Sequence, residues 1–366
     1  MRRVAIHELI PGMITAEDVY TYSGQLILPK GLELTDKSIT RLELYTILSV
    51  RISDSNETEN LPDNISEENV SEEDKWPFSK IIKNSPEFKE FKQNFEKTLV
   101  RFESSINDII KQGAPINLPA MLEETVSIFK SNVGSTQFFN MMHNMRQYDD
   151  TTFAHSLNVA LICNVFSGWL GLSHDDTEMA TICGLFHDIG KLAIPEEIVK
   201  KPAELTEEEF DVIKTHTLHG YNFLKNHDVS NHIKNAALMH HERCDGSGYP
   251  FALKDSKIDV FAKIVSIADV YDAMTAARVY RGPLCPFTVI EIFEREGLQK
   301  YDSKYILTFL ENIVLTYMHN RVELSDGTIG DIVFINKAYL SRPMIKSGNK
   351  FIDLSVMHDL SIVKIL

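Results

Sequence analysis

Hydrophobic residues recur at helical spacing through the middle of the chain and at strand-like spacing near both ends. Between residues 78 and 146, apolar positions separated by about three or four residues predict long connecting helices. The apolar stripe of these helices consists of Phe91, Phe95, Leu99, Phe102, Ile106, Ile109 and Ile110. Core or dimer packing explains such a stripe better than a ligand site does. The helical pattern continues through residues 147–315.

Short apolar runs punctuated by turn residues predict β structure at both ends of the chain. Residues 1–52 are typical of a small β-rich or α+β N-terminal module. Residues 316–366 predict a β-like C-terminal segment with a turn at Asp326-Gly327. The predicted fold class is therefore mainly α, with a helical bundle between two β-containing ends.

Residues 53–77 carry charge in place of an apolar pattern. The stretch from Ser53 to Asp74 contains nine acids and no Lys or Arg, a composition typical of a solvated linker. The predicted domains are thus a module at 1–52, an acidic linker at 53–77, connecting helices at 78–146, a catalytic domain at 147–315 and a C-terminal segment at 316–366.

Composition and charge narrow the function classes. The chain is 43% hydrophobic and 24% charged, as in ordinary soluble globular proteins. Its formal net charge of -15 disfavours duplex DNA and anionic membranes, so an anionic substrate would need a local cationic site. We therefore expect no DNA or membrane partner. Because there is no long apolar run and no signal-peptide core, we also expect a cytoplasmic protein. The four cysteines lack CxxC spacing, which favours reduced thiols.

Histidines and aspartates lie on the inward faces of five predicted helices. These candidates are His155, His187, Asp188, His216, His240, His241, Asp269 and Asp272. A lone histidine on an apolar face is more often a hydrogen-bonded core residue. Imidazoles and carboxylates brought inward by five helices instead favour a metal site for iron, manganese or zinc. So many candidate ligands oversupply one ion and suit two ions bridged by a carboxylate, about 3.5–4 Å apart as in two-metal phosphoester sites.

Local signals predict where the helices that carry these residues begin and end. A capping box of Thr206 and Glu209 predicts the start of the helix before His216. Gly190 is expected to stop the helix that carries His187 and Asp188. Asp245-Gly246 is expected to end the helix that carries His240.

The ordered motifs of the helical block resemble the HD-GYP family. They are His187-Asp188-Ile189-Gly190-Lys191, His216, His240-His241-Glu242-Arg243-Cys244-Asp245-Gly246-Ser247-Gly248-Tyr249-Pro250, Ala268-Asp269-Val270-Tyr271-Asp272-Ala273 and Tyr280-Arg281. The match covers residues 149–310, and its HHExxDGxGYP string separates the family from general HD phosphohydrolases. The resemblance implies an HD-type helical bundle and a phosphodiesterase that hydrolyses cyclic di-GMP to pGpG, and often on to GMP, through a metal-bridging hydroxide.

The resemblance also implies a metal-ligand set, with iron or manganese as the expected ions. One ion would be held by His155, His187, Asp188 and Asp269. Asp188 would bridge to a second ion held by His216 and His240, with His241 as an added ligand or a contact to bridging solvent.

Four further residues match substrate contacts of the family. Lys191 would bind a non-bridging phosphate oxygen, which makes it catalytic together with His187 and Asp188. Arg278 and Arg281 match basic residues near the substrate, although a solvated surface explains such residues as well. Tyr249 belongs to the loop that names the family, where packing and ligand contact are equally good interpretations.

Two positions depart from the family pattern. Some members place a glutamate, the ligand of a third metal ion, where this chain has Thr151. We therefore expect two ions, with Asp149 and Asp150 as nearby carboxylates that could replace the glutamate. Where the family often has His-Pro, the chain has His216-Thr217, which keeps the imidazole.

Two alternatives to a cyclic di-GMP phosphodiesterase remain open at this point. A binding or signalling module would bind cyclic di-GMP without forming product. An HD phosphohydrolase of another nucleotide, such as cyclic GMP-AMP, would carry the same ligand set. The connecting helices at 78–146 also predict a homodimer.

Overall fold

The computed structural model divides the chain into two compact units, residues 1–69 and residues 70–366. The structure describes parts of 2–53 and then residues 85–129, 135–145, 151–201, 203–276 and 283–366. Apart from Ser53, the predicted acidic linker lies outside the described residues, and the predicted domain borders stay predictions.

The first unit is a small β module. Its strands are β1 (Arg2–Ala5), β2 (Val19–Tyr20), β3 (Leu26–Leu28) and β4 (Ser49–Ile52). β1 pairs antiparallel with β4, and β2 pairs antiparallel with β3. Apolar side chains such as Val4, Val50 and Leu42 form a core of its own. The predicted β-rich N-terminal module is confirmed.

The second unit is built mainly of helices. They are α1 (Pro86–Gln112), α2 (Leu118–Val126), α3 (Ser135–Met145), α4 (Thr152–Trp169), α5 (His174–Phe186), α6 (Glu196–Val199), α7 (Glu207–Lys214), α8 (His216–Lys225), α9 (Asn231–Met239), α10 (Val260–Thr275), α11 (Pro286–Lys300) and α12 (Ser303–Thr316). Short 3-10 turns cover Ser127–Phe129, Ile189–Ala193 and Asp255–Lys257. The predicted mainly α fold is confirmed.

The apolar stripe predicted from the sequence lies on helix α1. The helix begins at Ser85, whose hydroxyl accepts a hydrogen bond from the Phe88 amide, and ends at Gly113 in the left-handed conformation. The stripe residues Phe91 and Ile106 are fully buried and join the core of the same chain. Apart from Ile110, which is exposed, the stripe is therefore core packing, and the homodimer expected from residues 78–146 stays a prediction.

Helices α4, α5, α9 and α10 form the centre of the second unit. α4 runs along α5, α10 packs against both, and α9 packs against α5 and α10. Gly184 allows the close approach of α5 to α4, because a Cβ atom there would lie 2.9 Å from the Ala160 Cα. These four helices carry, or lead directly into, most of the candidate site residues.

The chain ends in a five-stranded antiparallel sheet. Its strands are β5 (Arg321–Leu324), β6 (Ile329–Phe334), β7 (Met344–Ser347), β8 (Lys350–Asp353) and β9 (Ile362–Ile365), in the order β8-β7-β6-β5-β9. Val322, Ile332 and Ile345 on one face of the sheet are buried in the core that the helices share. The Glu294 carboxylate of α11 accepts hydrogen bonds from the Leu340 and Ser341 amides. The predicted β-like C-terminal segment is confirmed.

In the part of the chain that the structure describes, no helix has both the length and the apolar composition that a membrane span requires.

The contact at Gly184 gives a stability prediction. Gly184→Ala should lower the free energy of unfolding by about 1–3 kcal/mol, because the new methyl group must push α4 and α5 apart. Gly168→Ala is the matched control in α4, since a Cβ atom there would meet nothing within 4 Å. That variant should be neutral or up to about 1 kcal/mol more stable. Urea unfolding measures both, and equal stabilities of the two variants would contradict the assigned packing.

Candidate metal centre

Five segments deliver the candidate ligands to one place. His155 lies on α4, and His187 and Asp188 follow directly after α5. His216 opens α8, His240 and His241 follow the end of α9, and Asp269 lies in the middle of α10. His187, Asp188, His216, His240 and Asp269 are buried, whereas His155 and His241 are partly exposed. Every predicted ligand is thus found in this one cluster.

Two of the predicted helix ends are wrong, and each has a physical reason. Helix α5 has already ended at Phe186, and Gly190 lies within the next 3-10 turn. A Cβ atom at Gly190 would overlap the carbonyl oxygen of His216, so this glycine serves close packing and not helix termination. Helix α9 ends at Met239, well before Asp245-Gly246, which lies in the following turn. The predicted capping box of Thr206 and Glu209 is present.

Asp188 is the residue that joins the two halves of the cluster. Its Oδ1 lies 3.3 Å from His216 Nε2 and 3.7 Å from His240 Nε2. Its Oδ2 lies 3.3 Å from His187 Nε2 and 3.6 Å from His155 Nε2. One buried carboxylate therefore faces two pairs of imidazoles with its two oxygens, as a bridging ligand does.

The cluster offers two groups of ligand atoms. Within each group, the atoms all lie within 4.8 Å of one another. One group consists of Asp188, His216, His240 and His241, and the other of His155, His187 and Asp269. Asp269 Oδ1 lies 3.0 Å from His155 Nε2 and 3.8 Å from His187 Nε2.

Hydrogen bonds on the far side of four imidazoles orient them. The Nδ1 contacts are His155 to Asp272 at 2.8 Å, His187 to the Gly184 carbonyl at 2.7 Å, His216 to the Ile213 carbonyl at 2.6 Å and His240 to the Ala236 carbonyl at 3.0 Å. A backbone carbonyl can only accept, so Nδ1 carries the proton in His187, His216 and His240. Nε2 is then left as the lone-pair donor that points into the cluster, as in histidine metal sites.

Unsatisfied buried atoms also indicate a metal ion. Among the described residues, His187 Nε2 and Asp188 Oδ1 are buried without a hydrogen-bond partner. Buried polar atoms are normally paired, because desolvation without compensation is costly. The donor set of imidazole nitrogens and carboxylate oxygens therefore fits first-row transition-metal ions.

The electrostatics of the cluster favour neutral imidazoles at His216, His240 and His241 and an ionised carboxylate at Asp188. Burial lowers the pKa of His216 to about 4, and burial together with neighbouring imidazoles lowers the pKa of His240 and His241. Burial would raise the pKa of Asp188, but Lys191 and His187 outweigh it and hold that pKa well below the usual value. Neutral imidazole and ionised carboxylate are the forms that ligate metals.

His155 differs from the other histidines because two carboxylates flank it. Burial would lower its pKa, but Asp269 and Asp272 outweigh burial and raise the pKa to about 9. The position between these carboxylates is thus strongly anionic, which favours a cation. The inward position of Asp272 was visible in the sequence, but its role as the hydrogen-bond partner of His155 was not.

Two of the four predicted substrate contacts, Lys191 and Tyr249, lie beside the cluster. Lys191 Nζ lies 2.5 Å from Asp188 Oδ2, and its side chain stays 20% exposed. Tyr249 stacks on His241 with ring centroids 4.6 Å apart. Arg278 and Arg281 lie outside the described residues, as do Asp149 and Asp150. Thr151 is the N-cap of α4, where its hydroxyl accepts a hydrogen bond from the Ala154 amide at 3.1 Å.

Glu242 is a functional residue that the sequence reasoning missed. Its carboxylate is buried and accepts hydrogen bonds of 2.8 Å from the Phe251 and Leu253 amides, which anchors the loop after His241. A Cβ atom at Gly248 would overlap the Glu242 backbone, so the loop can fold back only with glycine there. An acid within an otherwise turn-like motif was the signal that could have revealed this anchor.

Comparison with known proteins places this geometry in a family. The family model described as HD domain matches residues 125–305. A cyclic di-GMP phosphodiesterase of Pseudomonas aeruginosa is 31% identical over 204 residues, covering 55% of this chain and 49% of that protein. An HDG"Y"P protein from Bdellovibrio bacteriovorus has the same fold over 86% of this chain and 99% of its own, with a TM-score of 0.50 and 14% identity. These matches support the HD-GYP family for the HD domain at residues 125–305.

The curated relatives are named for different substrates. A 3'3'-cGAMP-specific phosphodiesterase of Vibrio cholerae is 38% identical over 162 residues, covering 44% of this chain and 38% of that protein. The chain spans half or less of the length of these two curated relatives. HD domain proteins are metal-dependent, in agreement with the two clusters of ligand atoms.

The anchor at Glu242 gives a second prediction. Glu242→Ala should lower the free energy of unfolding by about 1.5–3 kcal/mol, because two amide donors lose a charged acceptor. Hydrogen exchange should accelerate at the Phe251 and Leu253 amides. Glu311→Ala, at an exposed acid of α12, is the control and should leave both measurements unchanged. Unaltered exchange at these amides in Glu242→Ala would contradict the anchoring role.

Proposed function

We propose that this protein is a metal-dependent phosphodiesterase that hydrolyses cyclic di-GMP to pGpG through a metal-bridging hydroxide. The observation that carries the proposal is the Asp188 carboxylate, whose two oxygens face two groups of imidazoles. Relatives named cyclic di-GMP phosphodiesterases, from Pseudomonas aeruginosa and Thermotoga maritima, support this substrate. The catalytic residues of the proposal are His187, Asp188 and Lys191.

We assign the metal ligands as two overlapping sets that hold two divalent ions, iron or manganese. His155, His187, Asp188 and Asp269 form the first set. Asp188, His216 and His240 form the second, with His241 as an added ligand or a contact to bridging solvent. Bound divalent cations would lower the pKa of a coordinated water molecule and neutralise charge on the phosphate oxygens. The capping role of Thr151 favours two ions over three.

The chain's own residues would bind and orient the diester. The Lys191 ammonium contacts the buried Asp188 while part of its side chain stays exposed, so it can donate to a non-bridging phosphate oxygen that arrives from solvent. The Nδ1 hydrogen bonds keep the imidazoles of His155, His187, His216 and His240 from rotating as the reaction proceeds. Tyr249, Arg278 and Arg281 are the further substrate contacts of the proposal.

A second candidate substrate is 3'3'-cGAMP. Two relatives named for it are 38% and 28% identical to this chain, whereas two of those named for cyclic di-GMP are 31% and 34% identical. The ligand cluster acts on the phosphodiester and not on the bases, so it serves both substrates equally. Direct competition between the two nucleotides, with product analysis, ranks them.

Metal content tests the assigned ligands. Protein purified without oxygen should carry about two transition-metal ions per chain, measured by elemental mass spectrometry. Asp188→Ala should lose most of this metal, because both sets share that carboxylate. His174→Ala is the control, since this side chain is 83% exposed and pairs with Glu178 outside the cluster. A wild-type protein that holds no metal after careful loading would refute the assignment.

Turnover of cyclic di-GMP tests the activity. His187→Ala and Asp188→Ala should abolish it, and Asp272→Ala should reduce metal affinity or activity about 10–100-fold by releasing His155. Chromatography of the nucleotide products measures the rates, with His174→Ala again as the control. If metal-loaded wild type binds cyclic di-GMP but leaves it intact, the protein is a binding module and the proposed activity is wrong.

A further inference from the structure

The exposed aromatic ring of Phe210 is connected to the candidate metal cluster through one other residue, Tyr249. Phe210 on α7 is 47% exposed, and none of the residues of α7 is buried. Its ring centroid lies 6.4 Å from that of Tyr249, edge to face. Tyr249 in turn stacks on His241, a member of the cluster. Three rings thus lead outward from the ligand atoms to solvent.

Helix packing alone accounts poorly for this ring. Phe210 is the fourth residue of α7, where the sequence predicts a hydrophobic staple with Leu205 before the Thr206 cap. A staple needs apolar contact, which leucine supplies as well as phenylalanine. It gives no reason for an aromatic ring that leaves almost half of its surface in water.

The exposed ring of Phe210 is open to a flat ligand. Lys214 Nζ lies 5.1 Å from the Phe210 ring centroid, but it pairs with Asp211 Oδ1 at 2.5 Å and so adds no unpaired positive charge to this rim. A diester bound at Asp188 and Lys191 must extend its nucleobases away from the phosphate, toward the rim of the site. Exposed aromatic side chains bind nucleobases by stacking, whichever base is present.

We propose that Phe210 stacks on a nucleobase of the bound cyclic dinucleotide and so positions the diester, an inference that rests on the proposed function. Phe210 is a positioning residue, because it touches the base and not the reacting phosphate. Stacking accepts guanine and adenine alike, so this contact would raise affinity for cyclic dinucleotides as a class over diesters without bases.

The test removes the flat ring and keeps the apolar staple. Phe210→Leu should raise KM for cyclic di-GMP about tenfold with kcat near the wild-type value, and Phe210→Trp should restore the wild-type KM. The inhibition constant of GMP should rise in Phe210→Leu, while that of ribose 5-phosphate, which has no base, should not change. Calorimetric titration with cyclic di-GMP measures the same effect as binding.

Two control variants separate stacking from general effects. Leu205→Ala weakens the staple but leaves the ring, so its KM should match the wild type. Phe351→Leu removes a ring that is 63% exposed and lies near Lys346, but on the C-terminal sheet, and should also leave KM unchanged.

The outcomes distinguish this inference from the proposed function. An unchanged KM in Phe210→Leu, or an equal rise in Leu205→Ala, would overturn the stacking role and leave the phosphodiesterase proposal standing. An equal rise in the inhibition constants of GMP and ribose 5-phosphate would also overturn it. A wild-type protein that neither cleaves nor binds cyclic di-GMP would overturn both.

Discussion

The buried carboxylate of Asp188 is the constraint on which the rest of the site depends. An anion in the interior is costly unless opposite charge or hydrogen bonds surround it. Here Lys191 supplies one cation at 2.5 Å, and four imidazole nitrogens lie within 3.7 Å of the two oxygens. Because Asp188 Oδ1 has no hydrogen-bond partner among the described residues, the arrangement is best compensated when cations are bound. Folding and metal binding should therefore be coupled in this domain.

Backbone carbonyls orient three of the candidate ligands. His187, His216 and His240 each bond through Nδ1 to a carbonyl three or four residues earlier, which belongs to the preceding turn or helix end. Each imidazole is thus held by the local geometry of its own segment, and no separate side chain has to evolve for it. His155 is the exception, because it lies inside α4, where the carbonyls are occupied, and it relies on Asp272 of α10.

How much of this could be predicted from the sequence depends on the range of the interaction. The helical fold and the inward direction of the ligands follow from periodicity, which is local. The role of Gly190 could not be derived in this way, because the atom it would strike belongs to His216, on a different segment. Glu242 was missed for a similar reason, since its partners at Phe251 and Leu253 come together only after the loop folds back. Resemblance to the HD-GYP family located the ligands but left the substrate's bases unassigned.

Substrate choice must be decided outside the ligand cluster. In the proposed function, Lys191 and the ions held by Asp188 and the imidazoles would recognise the phosphodiester, which is common to all cyclic dinucleotides. Bases can be distinguished only where side chains meet them, at the rim that includes Tyr249 and Phe210. Stacking on such rings favours bases in general, so discrimination of guanine from adenine requires hydrogen-bonding groups in addition. If Phe210 stacks on a base as proposed, an aromatic rim around a centre that contacts only the phosphodiester would accept more than one cyclic dinucleotide.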